Sequence, residues 1–230
     1  MPRPFEEEFQ HLNSSLREMG SLVAHCVQRS VLALVEKDPD YAHQVIRDEQ
    51  RIDQMEIRIE ELATSLIVRE QPVARDMRLI VSAIKITTDL ERMGDLAVHI
   101  AERALWLMVQ PPLPEDIHFG EITSLVESMV LGSLDSFVKG DSDVARGILE
   151  VDNTVDRART RIQQQLIELM QRQPATIPRA IEYLIIARKL ERIGDHATNI
   201  AEDVIFMTQG IDVRHRFAAE AVQAENTLAG

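Results

Sequence analysis

Apolar residues in this chain return with the period of a helix, in six long stretches separated by short polar breaks. In the second stretch Val45, Ile52, Ile59 and Leu66 step by sevens, with Met55, Leu62 and Ala63 beside them. In the third, Leu79, Ala83, Ile86, Leu90, Met93, Ala97 and Ala101 form one stripe. No stretch alternates strictly enough to read as a strand. The breaks fall at Asp38-Pro39-Asp40, Gln71-Pro72, Pro111-Pro112-Leu113-Pro114, Lys139-Gly140-Asp141 and Gln173-Pro174. The pattern predicts an all-α chain with helices over roughly 6–37, 40–70, 75–109, 117–139, 142–172 and 178–209, each on the order of 35–50 Å long.

The six helices are two copies of three. From Ile86 to Glu102, ten of seventeen positions are identical to those one hundred residues later. Leu90-Glu91-Arg92-Met93-Gly94-Asp95 returns as Leu190-Glu191-Arg192-Ile193-Gly194-Asp195. Earlier in each copy the offset is 103: Glu36-Lys37-Asp38 aligns with Lys139-Gly140-Asp141, and Glu49, Ile52 and Asp53 with Asp152, Val155 and Asp156. The first copy therefore carries three extra residues between Gln71 and Asp76. Short loops force neighbouring helices antiparallel. The expected organisation is two tandem three-helix bundles, over 1–112 and 113–210. A small, polar tail follows at 211–230.

Composition narrows the function. Aromatics are only 4% of the chain, so the core must come from Leu, Ile, Val, Ala and Met. No apolar run approaches the length of a membrane span. The single Cys26 cannot form an internal disulfide, which suits a reducing compartment, and a cytoplasmic location is expected. Net charge is −13, and the basic residues are scattered among acids. Binding to a phosphodiester backbone needs clustered Lys and Arg, so no nucleic-acid partner is expected. An acidic surface suits cations or basic protein faces.

The duplication keeps acids, which core packing alone does not require. Glu49/Asp53, Glu91/Asp95, Asp152/Asp156 and Glu191/Asp195 are each spaced i, i+4, with both carboxylates on one helix face. Like charges at that spacing cost a helix roughly 0.2–0.5 kcal/mol per pair. The next acids of the second helix, Glu56 and Glu60, align with Arg159 and Gln163, so they are not part of the repeated set. The paired acids flank the apolar stripes, so the second and third helices of each copy could present four carboxylates across one groove. Oxygen-only donors suit magnesium, manganese, iron or zinc. A plain solvated face is the competing reading. Glu102, Glu202, His99 and Asn199 lie one or two turns beyond the third-helix pairs, as additional or outer ligands. Gly94 and Gly194 cost about 1 kcal/mol each in mid-helix. Their recurrence points to close approach by either a packed helix or a ligand. No Gly-rich phosphate loop and no Ser-His-Asp or Cys-His set is discernible, and the lone Glu-x-x-His, Glu8 to His11, does not recur.

With these residues in view, the chain resembles the PhoU family, regulators associated with bacterial phosphate uptake. The resemblance runs from about Phe5 to Gln209 and rests on the duplicated Leu-Glu-Arg-x-Gly-Asp signature. It implies tandem three-helix bundles, metal ions or clusters on the four acid pairs, and a frequent homodimer. It further implies a regulator, not an enzyme, that connects the ATPase of a phosphate ABC transporter (PstB-like) to a sensor histidine kinase (PhoR-like). Such a protein restrains uptake and the starvation response when phosphate is plentiful, at the inner face of the membrane. The alternatives are an iron-dependent helical-bundle oxidase and a purely structural interaction module.

Overall fold

The computed structural model describes residues 4–210. The tail 211–230 lies outside the described residues. Six helices follow the predicted order: α1 (Pro4–Glu36), α2 (Pro39–Glu70), α3 (Ala74–Met108), α4 (Gly120–Lys139), α5 (Ser142–Arg172) and α6 (Ile177–Gln209). A short 3₁₀ turn, Pro174–Thr176, leads into α6.

Local chemistry sets the ends. Asp38 caps α2 by accepting from the Asp40 N–H, with Pro39 in the first turn, where a missing N–H is harmless. Asp141 caps α5 the same way, through the N–H groups of Asp143 and Val144. The preceding residue is left-handed in both copies: Lys37 at φ 56° and Gly140 at φ 63°. Glycine suits that conformation and lysine does not.

Helix α4 begins at Gly120, not near 117 as its apolar period suggested. Side chains from the second half hold this linker in another shape. The Arg179 guanidinium donates to the carbonyls of Pro111 and Pro112, at 2.6 and 2.9 Å, and Gln165 donates to the carbonyl of Asp116. Phe119 is buried and stacks against Tyr183.

Helices α1, α2 and α3 pack together, as do α4, α5 and α6. The halves are not separate cores. Helix α3 lies along α6 and α1 along α4, and the buried apolar residues of all six helices form one continuous cluster. At the α1–α4 contact a Cβ on Gly20 would stand 1.8 Å from the Leu134 side chain, so the helices meet closely there. The α3–α6 seam also carries ion pairs. Lys85 donates to Asp203 at 2.9 Å, His196 Nδ1–H to Asp89 at 2.8 Å and Arg103 to Glu182 at 3.1 Å. The Asp89 and His196 side chains are each only 12% exposed.

Of the two repeated mid-helix glycines, only Gly94 sits at a close helix contact. A Cβ on Gly94 would come within 3.0 Å of Ile52, across the α2–α3 contact. At Gly194 the nearest atom, on Val155, is an ordinary 3.6 Å away. Cys26 is buried and its thiol is pushed up to about 12, chiefly by burial, so it stays protonated. Among the described residues, no helix is long and apolar enough to cross a membrane.

Two stability changes are expected. Lys37→Gly relieves a left-handed lysine and gains about 0.5–1 kcal/mol in urea unfolding. His196→Leu, which installs the residue of the first copy, strands the Asp89 carboxylate and costs about 3 kcal/mol. A second change, Asp89→Leu, restores most of that loss if the seam pair is the cause.

Candidate functional site

Each groove is laid out by its capped helix. Glu49 follows the Asp38 cap by eleven residues and Asp152 follows Asp141 by eleven. Eleven residues make about three turns, so both acids leave the same side of equivalent helices. Helices α3 and α6 present Glu91/Asp95 and Glu191/Asp195 towards them.

In the first groove the carboxylates share one field. Glu49 is raised above the ordinary carboxyl range by burial, then by the neighbouring Asp53 and by Asp95. Glu91 is pushed up to about 7 by burial, then by Asp95, Glu56 and Asp53, with Arg92 opposing. Glu56 is raised by burial, then Glu60, Asp53 and Asp95. Glu56 thus belongs to this groove, although it lies outside the repeated set. The spacing of Glu49, Asp53 and Glu56 (i, i+4, i+7) was the available signal, since it keeps all three on one stripe.

The second groove is built from the matching residues. Asp152 is pushed up to about 6 by burial, then by Asp156, Asp195, Glu191 and Glu202. Asp156 is raised by burial and by the neighbouring Glu191 carboxylate. Asp195 is raised by burial, Glu191 and Asp156, against His196 and Arg192. Here an arginine enters: Arg159 bonds Glu191 through Nε at 3.1 Å and Nη2 at 2.9 Å.

The outer candidates divide. Glu202 acts on Asp152, whereas its counterpart Glu102 is exposed and is not among the acids raising Glu49. His99 is exposed and acts on none of the shifted carboxylates in the first groove. Asn199 turns towards the seam, with Nδ2 at 3.5 Å from Asp89.

The donor set of the first groove suits a hard or borderline cation. It is all oxygen, and its charge is opposed only by exposed Arg92. Among the described residues, however, no group of three or more His, Cys, Asp and Glu side chains is arranged to hold a metal ion. An ion here requires carboxylates to rotate toward a common point.

The PhoU domain model matches twice, over residues 16–104 and 119–204. A curated relative from Pseudomonas putida, a phosphate-specific transport system accessory protein PhoU homolog, is 40% identical over 92% of this chain and 83% of its own length. One of the same name from Aquifex aeolicus is 35% identical over 93% of this chain and 97% of its own length. Among solved structures, PhoU from Pseudomonas aeruginosa matches with a TM-score of 0.85 and 39% identity, covering 90% of this chain and 100% of that one. The phosphate transport system regulatory protein PhoU from Streptococcus pneumoniae matches with a TM-score of 0.83 and 30% identity, covering 91% and 99%.

A pH dependence follows from the first groove. Folding raises Glu91 to about 7, so the folded chain holds this proton more tightly than the unfolded chain. The stabilising contribution is complete below the ordinary carboxyl value and is lost as pH rises through about 7. Without metal, Glu91→Gln is therefore expected to raise stability at pH 8 by on the order of 1 kcal/mol, allowing for solvent screening. It should also flatten the decline between pH 5 and 8, read from melting temperatures across that range.

Proposed function

This chain belongs to the PhoU family, and on that premise we propose that it is an accessory regulator of a phosphate-specific transport system. The observation that carries this reading is the double family match on one fold, with relatives of that function alignable over nearly the whole chain. The finer reading is an adaptor between the transporter's ATPase and a sensor histidine kinase. It holds uptake and the starvation response down when phosphate is plentiful. It acts on the cytoplasmic side, reaching the membrane through the transporter.

Metal binding belongs to the same proposal. Glu49, Asp53, Glu56, Glu91 and Asp95 would hold it in the first groove. A bound divalent or transition cation supplies positive charge that neutralises these acids and ties α2 to α3. The residues themselves supply the anionic array, and buried Ile52 on α2 and Met93 on α3 lie behind them. What supports the reading is the uncompensated charge of the array, whose mutual repulsion a cation removes.

The adaptor role is tested by deleting the gene in its host and following a starvation reporter in phosphate-rich medium. The reporter is expected to stay on and to be silenced again by the restored gene. Normal silencing in the deletion strain would refute the role. For the metal, Glu91→Ala with Asp95→Ala is expected to lose metal by elemental analysis while keeping its helical circular dichroism. Unchanged metal content would remove the first groove from the assignment.

A further inference from the structure

The two grooves differ at aligned positions. Where α2 has Glu56 and Glu60, α5 has Arg159 and Gln163. The two replacements work together. The Arg159 guanidinium places Nε and Nη2 on the same Glu191 oxygen, at 3.1 and 2.9 Å, while Nη1 donates to Gln163. Arg159 and Glu191 are 28% and 18% exposed, so this is a sheltered clamp rather than a solvated surface pair. The adjacent arginines do not create the difference, because Arg92 and Arg192 are equivalent in sequence and both exposed.

We propose that Arg159, held by Gln163, is the second groove's built-in counter-ion, so that the chain takes up metal through its first groove and is closed to it in its second. This rests on the metal reading given above and deepens it. A cation entering the second groove must compete for Glu191. Displacing the guanidinium would leave a half-buried charge without its acceptors and set two like charges side by side. A planar guanidinium with five donors also fixes the carboxylate's orientation, which a metal would need to change. In the first groove the equivalent position carries another acid, Glu56, whose charge bears on Glu91 and which places no cation on it. The duplicated sites are thus a loadable one and a self-neutralised one.

The test uses the full chain stripped of metal, with Mn²⁺ as the probe, read by equilibrium dialysis and elemental analysis. The wild type is expected to bind Mn²⁺ tightly in the first groove, and any binding in the second to be at least about tenfold weaker. E91A/D95A should then remove the tight binding and E191A/D195A should leave it intact. Moving the clamp, with E56R/E60Q, should abolish tight binding, and R159E/Q163E should add a second tight site. If R159E/Q163E does not fold by circular dichroism, R159Q serves in its place, with a smaller gain expected. Equal loss from E91A/D95A and E191A/D195A overturns the clamp while leaving the metal reading intact. No binding by the wild type, with a gain in R159E/Q163E, sinks the first-groove reading and supports the clamp. No binding by any chain sinks both.

Discussion

Helices α3 and α6 are enclosed on three sides, and that constraint shapes the rest of the molecule. Each packs on two helices of its own bundle and also along the other. Most of its circumference must therefore be apolar or small, which is why Leu90, Met93, Ala97, Ile100, Ala101 and Ala104 are all buried on α3. Only a narrow stripe is left for polar chemistry. The acids occupy it, half-sheltered at the border with α2 or α5, and there burial and mutual repulsion both act on them.

The seam between the halves shows the same enclosure handling charge in another way. Asp89, Asp203 and Glu182 each meet a fixed basic partner from the facing helix. In the first groove the carboxylates meet chiefly one another. One protein thus treats acids at its helix contacts in two ways. Across the seam they are satisfied and contribute alignment. In the groove their mutual repulsion stands largely unopposed.

Much of this was legible in the chain itself. Helical periodicity located all six helices, because each has a continuous apolar stripe that no strand could share. Recurrence located the four acid pairs, because equivalent helices present equivalent positions. What recurrence could not find was anything the two copies do not share. Glu56 was set aside because its counterpart is Arg159, yet that mismatch is the chief chemical difference between the grooves. His196 escaped for the same reason, since Leu96 stands opposite it in the alignment and its partner Asp89 comes from the other half. The late start of α4 depends on contacts from Arg179 and Gln165, some fifty to seventy residues downstream, which no local pattern encodes.

The continuous core across both bundles has a consequence for how such a chain can change over time. Gene duplication supplied two halves, but neither now owns a complete interior. The linker is anchored by Arg179 of the later half, and Gly20 of the earlier half leaves room for Leu134 of the later one. A lineage could alter either groove by a few surface exchanges, but it could not discard or swap a half without baring the apolar flank of the one that stays. The repeats are free to diverge in chemistry because they are no longer free to part.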